Sequence, residues 1–166
     1  MATDQAIRRV LDARLDDAYR LATFILRDPV AAEDVVQEAA LQAWSRREAL
    51  RDEGTADGWF TRIVVNLCRD ELRRRARGPR VLDIGPNQRV VAGPGAGDPG
   101  LATAIERLTP DEQALLALRY GRDLTVPEIA DRLDVPQGTV KSRLHSTLEH
   151  LRAALDAERR AEEATP

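Results

Sequence analysis

Between Gly78 and Gly100 the chain carries 6 of its 10 glycines and 4 of its 9 prolines, crowded into 23 residues. Proline removes a helix donor and glycine adds backbone entropy, so such a run cannot hold a helix, and it lacks the apolar content to pack as a core. It reads as a flexible linker with an r.m.s. span of about 25–30 Å. The linker, residues 78–100, sets residues 1–77 apart from residues 101–155, and 156–166 is left as a frayed acidic and basic tail. Both flanking segments show helical spacing, with no internal repeat and no convincing strand alternation. The expected fold is all-α: two small helical domains on a slack tether.

In the first segment Leu11, Leu15, Ala18, Ala22, Ile25 and Leu26 recur every three or four residues until Asp28-Pro29 interrupts them. The pattern resumes at Ala31 and runs through Val35, Val36, Ala39, Ala40, Ala43 and Trp44. Arg51 to Gly58 reads as a loop. Trp59, Phe60, Ile63, Val64, Leu67 and Leu72 then mark a helix that continues into an arginine run and ends near Gly78. In the second segment Thr109-Pro110-Asp111-Glu112 and Thr125-Val126-Pro127-Glu128 each combine a capping box with a first-turn proline. Gly121 stops the first of these helices, and Asp134-Val135-Pro136 separates the second from a helix beginning near Gln137. That last helix turns Val140, Leu144, Leu148, Leu151 and Leu155 inward. Two short helices joined by a tight turn, the second opening with small polar and basic residues, make a helix-turn-helix.

Composition narrows the function. No stretch approaches the ~18 apolar residues of a membrane span, so no membrane insertion is expected. Met1 to Arg9 is polar, which argues against a secretory signal and for a cytoplasmic location. A single cysteine, Cys68, makes neither an internal disulfide nor a cysteine-based zinc site, and it reads as a small buried residue. His145 and His150 stand five apart, off the i, i+4 spacing of a helical metal pair. There is no glycine-rich phosphate loop, nucleophile elbow or HExxH pair. The chain is therefore not expected to be an enzyme, and no catalytic residue, cofactor or metal is expected.

The formal charge of −3 hides a strong asymmetry. Residues 1–60 carry a net −4 and the last 86 residues another −4, whereas residues 61–80 carry +5. The core of that footprint is Arg69, Arg73, Arg74, Arg75 and Arg77. A few arginines suit the C-terminal pole of a helix, but this many like charges repel one another unless an anion binds, and a nucleic-acid backbone is the obvious anion. A second cluster is Thr139-Val140-Lys141-Ser142-Arg143, where hydroxyls and a guanidinium share a side suited to base edges and phosphates. The alternative is a helix-turn-helix that docks protein. A third cluster is Glu33, Asp34, Gln37 and Glu38, in which Asp34, Gln37 and Glu38 share a helix face. Spacing alone makes that cluster an ordinary solvated face.

Taken in order, these segments resemble an extracytoplasmic-function (ECF) sigma factor, a bacterial RNA polymerase specificity subunit. Ala32-Glu33-Asp34-Val35-Val36-Gln37-Glu38-Ala39 through Trp44 is similar to the family's second conserved region. Trp59-Phe60-Thr61-Arg62-Ile63-Val64-Val65-Asn66 through Asp70-Glu71-Leu72-Arg73-Arg74 resembles its promoter-melting helix. Leu108-Thr109-Pro110 to Leu118 and Ile129-Ala130 to His145 resemble its fourth region. The resemblance covers most of residues 15–155.

It implies that Asp34, Gln37 and Glu38 dock on core RNA polymerase. It further implies that Arg62, Asn66, Arg69, Arg73 and Arg74 meet the minus-ten promoter element, while the loop Leu50–Gly58 helps hold a base turned out of the melted strand. Thr139, Lys141, Ser142, Arg143 and His145 are implied to read the minus-thirty-five element, and an anti-sigma factor is an implied partner. Relatives often continue R-A-R after the histidine position, where this chain has Ser146-Thr147-Leu148, so fewer phosphate contacts are expected there. A monomer is the default. Two other readings stay open from the residues themselves: a stand-alone helix-turn-helix regulator, and an adaptor that captures an anti-sigma partner without directing transcription.

Overall fold

The computed structural model describes residues 2–77 and 98–163, and every regular element among them is helical. Helix α1 spans Ala2–Leu26, α2 Pro29–Ser45 and α3 Ala56–Arg77, with single 3-10 turns at Arg47–Ala49 and Glu53–Thr55 between the last two. Helix α4 spans Pro99–Glu106 and α5 Pro110–Leu116, which runs on into a π-turn over Ala117–Gly121. Helices α6 (Val126–Leu133) and α7 (Gln137–Glu163) complete the second half. The expected linker lies, up to residue 97, outside the described residues.

Local chemistry sets the helix ends. Asp28 caps α2, its Oδ1 accepting the backbone N–H of Val30 at 3.0 Å and of Ala31 at 3.1 Å, with Pro29 in the first turn, where its missing donor costs nothing. Both predicted capping boxes form: Thr109 Oγ1 accepts from the Glu112 N–H and Thr125 Oγ1 from the Glu128 N–H, and each glutamate accepts in return from its threonine's N–H at 2.8 Å. Asp134, with φ 57, ends α6 in the left-handed conformation that aspartate tolerates better than most residues.

Four details depart from the sequence reading. Helix α1 begins well before Leu11, and Ala6 and Ile7, within the stretch read as polar, are buried in the core. Asp98 caps α4, so Pro99-Gly100 forms a first helical turn rather than the end of the linker. On α7 Leu148 is 42% exposed while Thr147 is 1% exposed, because positions 140, 144 and 147 keep the inward stripe that 148 leaves. The same helix continues through residues 156–163, where Glu158 pairs with Arg107 at the end of α4, instead of fraying after Leu155.

Helices α1, α2 and α3 pack as a bundle around Ile7, Leu21, Ile25, Val36, Phe60 and Val64, and α4 to α7 pack around Leu118, Ile129 and Val140. Each such side chain contributes about 1.5–3 kcal/mol when fully buried. The two halves also meet. Helix α3 lies against α5 and α6, α1 lies against the π-turn, and one contiguous apolar cluster runs through both halves. Gly121 marks the closest approach: a Cβ there would sit 2.7 Å from the Phe24 ring on α1. Polar clasps surround the seam, with Arg27 Nη1 donating to the Ala102 carbonyl at 3.0 Å and Arg122 Nη1 to the Asp17 carbonyl at 3.2 Å.

Candidate nucleic-acid and partner interfaces

Three surfaces carry the residues singled out in the sequence. On α2 the alternation of Ala32, Val35, Val36, Ala39 and Ala43 buries one face and leaves Glu33, Asp34, Gln37 and Glu38 exposed. Gln37 Nε2 donates to Glu33 at 3.3 Å and Gln42 Nε2 to Glu38 at 2.9 Å, which orders the amides along the helix. The structure adds two residues that the sequence reading passed over. Val30 is 73% and Leu41 67% exposed, and with Asp34 and Gln37 they form a line at i, i+4, i+7 and i+11. Trp44 extends that line, partly exposed, with the guanidinium groups of Arg8 and Arg47 at 5.3 and 4.9 Å from its ring centre. Exposed apolar side chains thus flank the acid–amide patch, a feature that charge alone did not reveal. The pointer available in the sequence was the shared register of Val30 and Leu41 with Asp34.

The arginine-rich face of α3 is placed differently from its sequence reading. The expected mutual repulsion is relieved within the chain. Arg74 makes a bidentate pair with Glu71 at 2.8 Å, and Arg75 bridges Glu71 at 2.8 Å and Asp28 at 3.0 Å. The Arg74 hydrogen bonds hold the Glu71 carboxyl below its ordinary range, against the opposing effect of its partial burial. Arg75 is therefore a clamp that ties the end of α3 to the α1–α2 junction, where its Nη1 also donates to the Leu26 carbonyl at 3.3 Å.

Arg62, Arg69 and Arg73 face the second half of the molecule. Arg62 donates to the Arg132 carbonyl at 3.0 Å and to the Asp131 carbonyl at 3.4 Å, and lies 3.5 Å from Asp134. Arg69 pairs with Asp111 and donates to Asn66 Oδ1 at 3.2 Å. Arg73 lies 3.6 Å from Asp111 and 3.4 Å from Asp70. Of the five residues expected on this face, Asn66 and Arg74 are exposed and the other three are half-buried.

Beside Arg62 a cleft of about 840 Å³ opens between the Ala49–Trp59 segment and residues Ala130–Pro136. Leu50, Arg51, Asp52, Thr55 and Trp59 contribute to its wall, so an aromatic ring is present at the loop expected to hold an unstacked base. Asp57, at the start of α3, fixes that wall through Arg14 at 3.1 Å and Arg132 at 3.5 Å.

The third surface is the first half of α7. Val140 and Leu144 are buried and seat the helix; Lys141, Ser142, Arg143 and His145 are exposed and Thr139 is half-buried. Ser142 Oγ donates to the Thr139 carbonyl at 3.1 Å, and His145 stands 3.4 Å from Glu149. Neither the Lys141 nor the Arg143 side chain makes a hydrogen bond or ion pair with the described residues, so both cations are available to an external acceptor. His150, further along, reaches back to Glu112 at 2.5 Å and belongs to the α5 cap. Cys68 is fully buried, and burial pushes its thiol up to about 12. Among the described residues no group of three or more His, Cys, Asp or Glu side chains is placed to hold a metal ion, and no helix is long and apolar enough to cross a membrane.

Comparison with known proteins agrees with this layout. The Sigma-70 region 2 pattern matches residues 10–78 and the Sigma-70 region 4 pattern residues 104–153. The chain is 33% identical to the ECF RNA polymerase sigma factor SigL of Mycobacterium tuberculosis over 163 residues, spanning 93% of this chain and 92% of that protein. It is 30% identical to the RNA polymerase sigma-E factor of Streptomyces antibioticus over 149 residues, or 89% and 83% of the two chains. The fold is shared with the sigma factor RpoE of Bartonella quintana, solved in complex with the anti-sigma factor NepR. That match has a TM-score of 0.63 at 20% identity and covers 90% of this chain and 96% of that one. Both halves and their order are thus those of one family, and the chain is a member of the ECF RNA polymerase sigma factors.

Proposed function

We propose that this sigma factor divides its work among the three surfaces. The α2 line of Val30, Asp34, Gln37, Glu38 and Leu41 docks on core RNA polymerase. The α3 face, with Arg62, Asn66, Arg69, Arg73 and Arg74 and the neighbouring cleft, takes the minus-ten element in its melted form. The α7 start, with Thr139, Lys141, Ser142, Arg143 and His145, reads the minus-thirty-five element in the major groove. Unstacking a base costs a few kcal/mol, which a pocket with an aromatic wall and flanking arginines offsets. The chain works as an initiation factor in the cytoplasm and not as an enzyme.

The observation that carries this reading is the pair of unengaged cations, Lys141 and Arg143, on the exposed side of a helix seated by Val140 and Leu144 in a region 4 helix-turn-helix. Linking that helix to a polymerase-bound region 2 turns the second DNA contact into an intramolecular one with a high effective concentration. An anti-sigma factor is a further proposed partner, supported by the shared fold of a sigma factor solved with one.

Transcription from sheared genomic templates by purified core polymerase, with and without this chain, tests the assignment. Added chain is expected to create new start sites. Asp34→Ala with Gln37→Ala should weaken core binding about tenfold and leave the melting temperature unchanged, because both side chains are exposed. Equal losses of binding and stability would move these residues into the structural framework. A protein that footprints duplex DNA alone and needs no polymerase would instead be a stand-alone regulator.

A further inference from the structure

The three half-buried arginines of α3 already have partners of the kind DNA would offer. Asp111, in the first turn of α5, forms an ion pair with Arg69 and faces Arg73 at 3.6 Å. Asp134, at the end of α6, stands 3.5 Å from Arg62, whose remaining nitrogens are taken by the Asp131 and Arg132 carbonyls. One carboxylate set against two guanidinium groups, and carbonyl oxygens set against a third, reproduce the acceptor pattern of phosphates and base edges. The residues supplying these acceptors all come from region 4, and all the cations come from region 2.

We propose that region 4 masks the minus-ten surface in the free chain, with Asp111, Asp134 and the α6 carbonyls occupying the hydrogen-bonding positions that promoter DNA later takes on Arg62, Arg69 and Arg73. The inference rests on the assignment of those arginines to the minus-ten element and adds a regulatory role for the carboxylates that face them. Geometry besides the ion pairs supports it. The cleft beside Arg62 is closed on its far side by Ala130–Pro136, so the space for an unstacked base is bounded by the same helix end that engages Arg62. The seam is apolar beneath the charges, where Val65 of α3 shares a cavity wall with Leu115, Leu133 and Val135. Gly121 against Phe24 joins the π-turn to α1, two elements that carry none of these arginines.

The masking is selective. The α2 line with Asp34, Gln37 and Glu38 points outward, and so do Lys141, Arg143 and His145 of α7. A closed chain therefore presents its polymerase-docking face and its upstream-element face while withholding the strand-binding face. Opening requires the new contacts of both regions on polymerase to outweigh the seam, which is a population shift between two arrangements of the same domains.

Two kinds of full-length variant relieve the masking by unrelated means, one by freeing the arginines with the apolar seam left in place and one by wedging the seam apart. Asp111→Asn with Asp134→Asn removes the decoy charges. Gly121→Leu changes no charge but forces a side chain into the Phe24 ring, and Gly121→Ala is a milder wedge should the leucine impair folding. Binding of a fluorescein-labelled, random-sequence 12-nucleotide single-stranded DNA is read by anisotropy at low salt. Both kinds of variant are expected to tighten binding at least fivefold over the parent chain, and adding Arg69→Ala with Arg73→Ala to either should abolish the gain. A gain in the charge variant alone would reduce the effect to net charge and overturn the masking. So would unchanged affinity in both, or a gain that survives loss of the two arginines. Start-site mapping with core polymerase separates the two layers. If Arg69→Ala with Arg73→Ala leaves initiation intact, the minus-ten assignment itself fails. If initiation is lost while the wedge does not tighten binding, the masking alone is wrong.

Discussion

Glu112 shows how much one side chain is asked to do. It closes the capping box of α5 through the Thr109 N–H, accepts the Thr109 hydroxyl at 2.9 Å, and holds His150 of α7 at 2.5 Å. Partial burial pushes its carboxyl up, but the Thr109 and His150 hydrogen bonds outweigh that and keep it below the ordinary value of 4.5. A carboxyl lowered on folding adds stability that is complete above the unfolded value and drains away as pH falls through the folded one. Glu112→Ala should therefore cost about 1 kcal/mol at pH 7, and its difference from the parent should shrink below about pH 4, as read by urea titration across pH. A constant difference down to pH 3 would contradict the cap's dependence on ionised Glu112. Thr23 offers the opposite case: its hydroxyl is buried on α1 with no hydrogen-bond partner. Replacing it by valine keeps the shape and removes the unsatisfied group, so Thr23→Val is expected to stabilise the chain by about 1 kcal/mol. A lower urea midpoint would show that the hydroxyl is satisfied after all.

The helix-turn-helix was the most legible element, because caps, turn and periodicity speak through neighbours in sequence. Thr125, Pro127 and Glu128 announced α6, and Val140 with Leu144 announced the buried side of α7. The slip at Leu148 has a simple origin: leucine at i+4 from Leu144 continues an apolar run, but the packed stripe passes through Thr147, a polar residue that sequence reading sends outward. Ile7 was missed for a related reason, since one isoleucine between Gln5 and two arginines does not look like core until α1 is rolled against its neighbours. What the element does is carried by its exposed side. The Arg143 side chain has no partner among the described residues, so in the proposed contact with a guanine edge it gives up no internal contact. Arg143→Ala should relax discrimination at one base pair of the upstream element by about 1–3 kcal/mol, measured by competition among promoter variants on the holoenzyme. An equal loss on every variant would assign it to phosphate.

At the scale of the molecule, the pairing of the halves was not legible, because Arg62 meets Asp134 and Arg69 meets Asp111, partners far apart in the sequence. No local pattern marks such partners: Glu71 and Asp70 balance part of the arginine run within α3, but Asp28, Asp111 and Asp134, which take up the rest, lie on other elements. The same seam makes a measurable claim about salt. Its ion pairs are partly exposed, and at 0.5 M salt the screening length falls to a few ångströms, so their contribution fades. The apolar contact between α3 and helices α5 and α6 does not fade with salt. If the apolar seam dominates, the chain stays closed on raising NaCl from 0.05 to 0.5 M, with a radius of gyration near the ~15 Å of a compact chain of this length. If the ion pairs dominate, the halves separate to the reach of the intervening segment and the radius rises to ~20 Å or more. Small-angle scattering across that salt range decides between them, and we expect the compact value throughout. On the proposed reading, salt alone does not part the halves, so opening has to be driven by surfaces that grip both halves at once, such as a polymerase bound along α2 and beside α7.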